Sequence, residues 1–209
     1  EDQGMQIKIK FSLPDDCNQQ QLINALAEYY AIKQEQPVLK NLAIYDTFDW
    51  RLFKKSFVLY TYGNMLFLRK LFKNSIIHNT EFTLPPVFIW DFPDSKLKNH
   101  LSTVLKIRAL LKLTELHSLS TVYHILNQDE KTIALLIYEE ISPAQEKTTP
   151  NLDTCLWLKP VKGYPKHFKK LIKRLKTAGF VPRQKEDIFF KAMEGAGKNP
   201  GCYSSKLKI

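Results

Sequence analysis

The sequence predicts an α+β fold, an antiparallel barrel or strongly curved sheet with a few helices outside it. Three observations carry this expectation. Several β-rich runs alternate apolar and polar residues. Pairs of those runs flank short turn signals that suit hairpins. Helical spacing of apolar residues is confined to a few segments between them.

In chain order, residues 5–13 alternate, with Ile7, Ile9, Phe11 and Leu13 on one side and Gln6, Lys8 and Lys10 on the other. This is the period of a strand with one face in a core, and it leaves the second face polar and cationic. Residues 19–32 carry Leu22, Ile23, Leu26 and Tyr29 or Tyr30 at helical spacing, and Asn18, after Pro14-Asp15-Asp16, offers a side-chain cap to the free amides. Strands are predicted next over 38–47, 56–62 and 65–73. A helical turn over 49–55 separates the first two, and Gly63-Asn64 suits a tight hairpin between the others. Pro85-Pro86 breaks the chain before the aromatic run 87–92, and a helix follows over 95–105. Strands over 114–127 and 132–141 flank the polar turn 128–131. After a polar loop over 142–151 come a last strand, 153–161, and a basic amphipathic helix, 165–178, closed by Gly179. The stretch 195–201 has linker composition.

A content of 44% hydrophobic residues in 209 supports a packed core. Lys and Arg number 31 against 21 Asp and Glu, an excess that a fold must either solvate or direct at an anion. Cys17, Cys155 and Cys202 are odd in number and far apart, which suits reduced thiols better than a disulfide framework or a zinc site. No run approaches the ~20 apolar residues of a membrane span, and no secretion signal opens the chain, so the expected setting is the cytoplasm. His78, His100, His117, His124 and His167 show no metal-ligand spacing on one element.

Four segments, in order, carry a resemblance. Leu42 to Phe53 places Tyr45-Asp46-Thr47 before Asp49-Trp50-Arg51-Leu52; Phe88 to Pro93 contains Trp90-Asp91; Arg108-Ala109-Leu110-Leu111 follows; and Asn199 to Leu207 contains Pro200-Gly201 before Tyr203-Ser204-Ser205-Lys206-Leu207. Together they resemble the CYTH-type (triphosphate-tunnel) domain that precedes a CHAD domain in a group of bacterial proteins. The resemblance implies a tunnel of about eight antiparallel strands with polar, charged walls. It also implies that 5–194 form the CYTH-like domain, that 195–209 lead toward a CHAD domain, and that the tunnel takes the triphosphate end of a substrate.

Active members of that family begin with Glu-x-Glu-x-Lys, whose alternate residues face one lumen so that paired carboxylates meet a Mg²⁺ or Mn²⁺ ion. The matching residues here are Gln6, Lys8 and Lys10. The lysine is kept, both acids are gone, and Lys8 puts a cation where a metal ligand belongs. The expectation is therefore a degenerate site that binds polyphosphate or a triphosphate-like anion without catalysis or cofactor, as an accessory module to the CHAD domain.

Candidate anion contacts are Lys8, Lys10, Arg51, Arg69, Arg108 and Lys131, with Arg69 favoured over its neighbour Lys70 because only one of them can face the lumen. Arg108 is equally well read as a structural partner of a carboxylate such as Glu115. Tyr45, Asp46, Trp50 and Trp90 read as core packing with a turn cap. A metal-dependent triphosphatase or adenylate-cyclase-like enzyme is the alternative, with Mg²⁺ or Mn²⁺ held by Glu115, Glu139 and Glu140. A third reading is nucleic-acid binding through the basic patch Lys166, Lys169, Lys170, Lys173 and Arg174, although no base-reading motif accompanies it.

Overall fold

The computed structural model describes residues 8–15, 17–71, 75–144, 151–183 and 187–202, so Gln6 lies outside the described residues, as does the Tyr203 to Leu207 motif. Among the described residues ten strands and five α-helices are formed, and the seven ladders with an assigned register are antiparallel. The hydrogen-bonded strand order is β10 (Val181–Pro182), β1 (Ile9–Ser12), β9 (Asp153–Pro160), β8 (Thr132–Pro143), β7 (Leu111–Leu126), β3 (Val38–Asp46), β4 (Phe57–Tyr62), β5 (Met65–Lys70) and β6 (Ile76–Glu81), with β2 (Ala31–Gln34) on β7. This is the α+β antiparallel class expected, with more strands among the described residues than the about eight foreseen. No helix among the described residues is long and apolar enough to cross a membrane. The chain divides into two compact units, the first within 8–39, 118–141 and 153–183, the second within 40–117, 142–152 and 187–202.

In the first unit, β1 (Ile9–Ser12) points Phe11 into a core shared with Leu136 and Tyr138 of β8 (Thr132–Pro143) and Leu156 and Leu158 of β9 (Asp153–Pro160). The alternation read from the sequence thus places Lys8 and Lys10 on the opposite face. Helix α1 (Gln19–Ala27) begins as expected: Asn18 Oδ1 accepts from the Gln21 amide at 2.9 Å, and the Gln21 side chain accepts from the Asn18 amide at 2.9 Å. It ends earlier than its apolar spacing suggests, because Ala31–Gln34 form β2 and pair with β7 (Leu111–Leu126). Strand pairing outweighs the helical pattern there. Helix α4 (Pro165–Thr177) buries Leu171 and Leu175 in the same core. Gly179 follows at φ +88°, where a Cβ would also meet the Pro14 ring at 3.3 Å, so only glycine fits. Strand β10 (Val181–Pro182) then pairs with β1.

The second unit holds β3 (Val38–Asp46), α2 (Arg51–Lys54), the hairpin β4 (Phe57–Tyr62) and β5 (Met65–Lys70), β6 (Ile76–Glu81), α3 (Lys96–Leu105) and α5 (Ile188–Gly195). Strands β6 and β10 and helix α5 were not foreseen. Asp46 organises the turn after β3. Its buried carboxylate accepts from the amides of Thr47, Leu52 and Phe53 at 2.7, 2.9 and 2.9 Å. Burial pushes the Asp46 carboxyl above its ordinary value, and these backbone donors oppose the rise. Trp50 adopts the left-handed region at φ 58° and is buried, donating from Nε1 to the Cys202 carbonyl at 3.0 Å. Trp90, by contrast, is 60% exposed and stacks on Phe88 at 4.7 Å, so the core role read for it does not hold. The described end of the stretch read as a linker packs on this unit: a Cβ at Gly201 would sit 3.1 Å from Phe53.

Replacing Asp46 by Ala leaves three inward amides without their acceptor and is expected to cost about 3 kcal/mol, read as a lower urea midpoint at unchanged slope. A loss below about 0.5 kcal/mol, the range of ordinary surface changes, would mean that the turn does not depend on this carboxylate.

Candidate anion-binding site

Within the first unit, the face of β1, β9 and β8 opposite the core gathers several of the unit's charged strand residues. Antiparallel pairing sets Ile9 against Leu158 and Lys10 against Trp157, and carrying that register one residue further brings Lys8 against Lys159. On β9, Asp153, Cys155, Trp157 and Lys159 share this face by strand alternation, and β8 contributes Glu139 opposite Cys155.

Asp153 lies between two cations. Its Oδ2 accepts from Lys10 Nζ at 2.8 Å and its Oδ1 from Arg183, which follows β10. The Asp153 side chain is only 3% exposed. Burial alone would raise its carboxyl, but the Lys10 and Arg183 charges outweigh burial and hold it below its usual value. Glu139 is bound to protein donors as well: Ser118 Oγ donates to Oε1 at 2.7 Å, and Trp157 Nε1 donates to Oε2 at 2.8 Å. The buried Cys155 thiol is pushed up to about 12, first by burial and then by the charges of Glu139 and Asp153 against that of Lys10.

Lys8 is in a different state. Its ammonium lies 4.2 Å from the centre of the Trp157 ring, a cation–π contact, with Lys10 at 5.3 Å from the same ring. No carboxylate ion-pairs with Lys8 or Lys159 among the described residues. Although Lys8 remains open to solvent, crowding by the strands around its ammonium holds its pKa below the ordinary lysine value. Glu139 opposes that shift, and Lys159 and Lys10 reinforce it. Two like charges facing each other across a ladder destabilise it unless an anion lies between them.

The other residues singled out from the sequence have structural surroundings. In the second unit, Arg51 donates from Nε to Asp49 at 3.0 Å and from Nη1 to the Leu105 carbonyl at 3.0 Å, closing the end of α3. Arg69 forms a two-pronged pair with Asp187. Arg108 stacks over Phe48 at 4.9 Å, with Nε 3.6 Å from Asp49 rather than on Glu115. Glu115 instead accepts from Lys112 at 2.6 Å. Lys131 is exposed in the turn before β8, where its amide donates to Asn127 at 2.9 Å. Glu139 and Glu140 are successive strand residues and so face opposite sides. On α4, Lys166, Lys169, Lys170 and Lys173 are exposed, while Arg174 lies 3.6 Å over the Tyr29 ring.

The donor set of this face suits an anion better than a divalent cation: its carboxylates Asp153 and Glu139 are met by amine, guanidinium, indole and hydroxyl donors, and the ammoniums of Lys8 and Lys159 would repel a metal ion. Sequence reasoning reached Lys8 and Lys10 through alternation but missed Asp153, Trp157, Lys159 and Arg183. The same alternation in 153–161 marks the three β9 residues, whereas Arg183 depends on the short β10 pairing.

Replacing Asp153 by Asn strands two crowded cations and is expected to cost about 3 kcal/mol at pH 7. Because the folded pKa is depressed, the carboxylate's contribution is complete above the ordinary value of 3.8 and disappears as pH falls through the lower folded value. The stability gap between wild type and variant, from urea unfolding, should therefore shrink below pH 3.8. A gap that stays constant or widens on acidification would contradict the ion-pair account.

No family model and no curated protein matches the chain. Among solved structures, it is similar to HpAC1 of Hippeastrum, a proposed adenylyl cyclase described as having a dominant triphosphatase activity: 16% identity, 92% of this chain and 96% of that one, TM-score 0.57. It is also similar to a proposed adenylate cyclase of Bacillus halodurans, at 13% identity over 87% of this chain and 94% of that one, TM-score 0.54. At these identities the likeness concerns architecture alone: the chain shares the fold of those two proteins.

Proposed function

We propose that the chain is a phosphate-binding module that takes polyphosphate or a triphosphate-like anion on the β1–β9 face without cleaving it, and that it works beside a CHAD domain of the same protein. The observation that carries this reading is the facing pair Lys8 and Lys159, without carboxylate partners among the described residues, beside the occupied clamp of Lys10, Asp153 and Arg183. A phosphate oxygen bridging the two ammoniums removes their mutual repulsion and forms charge-assisted hydrogen bonds, whereas a metal ion would meet like charge. The association with a CHAD domain is supported by the sequence resemblance alone. The exposed lysines of α4 supply a second, solvated cationic surface that a long polyanion can reach without specific geometry.

Calorimetric titration with long-chain polyphosphate tests the reading. Lys8→Gln and Lys159→Gln are each expected to weaken binding about tenfold, and each should reduce the slope of log Kd against log salt by about 0.7, as for a contact to a single-stranded polyanion. Neither Mg²⁺ nor Mn²⁺ should produce phosphate from inorganic triphosphate. Metal-dependent turnover abolished by Lys10→Ala would overturn the non-catalytic reading in favour of a triphosphatase. DNA that displaces polyphosphate at equal charge and fixed salt would favour the nucleic-acid alternative.

A further inference from the structure

We propose that Lys8 is an acylation site for acyl phosphates, the neighbouring ammoniums seating the phosphate while the Lys8 amine takes the acyl group. The inference rests on the reading of this face as a phosphate site and adds a reaction to it. Three lysines converge on one face, and they are not equivalent. Lys10 is fixed on Asp153 at 2.8 Å. Lys159 stands opposite Lys8, exposed, with no carboxylate partner among the described residues, and so is available to hold a phosphate. Lys8 lies against the Trp157 face at 4.2 Å, open to solvent and to a small reagent. The nearest acid on the face, Glu139, has both oxygens turned to Ser118 and Trp157, so it influences Lys8 through space rather than by an ion pair.

Crowding of its ammonium by the strands, with the charges of Lys159 and Lys10 and against that of Glu139, favours the neutral, nucleophilic form of the Lys8 amine. Seating the phosphate also raises the local concentration of the electrophile beside that amine. The reaction needs no further reagent. The amine lone pair attacks the acyl carbon, the C–N bond forms, the carbon–oxygen bond to phosphate breaks with its electron pair leaving on phosphate, and the amine proton passes to that phosphate. The products are a Lys8 amide and inorganic phosphate. Acylation removes one positive charge from the facing pair, so the modified chain holds polyphosphate less tightly.

Incubation of the whole chain with acetyl phosphate at neutral pH, followed by site-resolved mass spectrometry over time, tests the proposal. Lys8 is expected to acetylate about tenfold faster than the exposed lysines Lys166, Lys169, Lys170 and Lys173 of α4, because the electrophile is seated beside its amine. Inorganic triphosphate should slow that reaction. Lys159→Gln should slow it more with acetyl phosphate than with acetic anhydride, which carries no phosphate to seat and so registers only the lost Lys159 charge. Labelling of Lys8 no faster than the α4 lysines, or labelling indifferent to Lys159→Gln, overturns the proposal. Calorimetry on the same protein separates the two readings. Triphosphate binding without preferred Lys8 acetylation removes this inference and leaves the binding function intact, whereas preferred acetylation that triphosphate does not slow removes the shared phosphate site.

Discussion

The charged face of the first unit depends on one carboxylate. Asp153 joins β1, its own strand β9 and the residue after β10 through Lys10 and Arg183, and it does so out of contact with water. A crowded carboxylate of this kind is tolerable only when both its oxygens are answered by positive donors, and the donors are tolerable there only because of it. Once that clamp is closed, the remaining positive charge on the face among the described residues belongs to Lys8 and Lys159, while Glu139 accepts from an indole and a hydroxyl. The location of free positive charge is thus set by which acids are already spoken for.

This explains how one architecture can serve different chemistry. An alternating strand needs only apolar residues at every second position to hold its place in the core, and Ile9 and Phe11 meet that need. The intervening positions are not needed to seat the strand in that core and can carry acids that grip a metal or, as at Lys8 and Lys10, amines that repel one. Low identity to proteins of the same fold is the expected result when the inward pattern is conserved by type and the outward one is free to change.

Much of this was legible in the sequence because it was local. The Asn18 cap, the Gly63-Asn64 hairpin, the Ser95 start of α3 and the long strands β7 and β8 each follow from a pattern within a few residues. The misses share a cause. Strand β2 has only four residues and looked like the tail of α1, β10 has two residues, one of them a proline, and β6 mixes histidine, asparagine and threonine without clear alternation. Such segments become strands because a neighbour offers a ladder, and the neighbour lies far away in the chain. The candidate site divides the same way. Lys8 and Lys10 were visible from their own strand, but the facing of Lys8 by Lys159 and the seating of Arg183 on Asp153 are matters of register. Arg51, Arg69 and Arg108 drew notice for their charge, yet their neighbours Asp49 and Asp187 decide what that charge does.

Cys155 adds a last property to the face. Its sulfur lies fully buried against Glu139, in surroundings that keep it protonated far into the alkaline range. A thiol so held reacts poorly with peroxide and offers little to zinc or copper. Redox stress and soft metals in the surrounding medium would accordingly leave this surface unaltered, and its responsiveness is vested in nitrogen rather than sulfur.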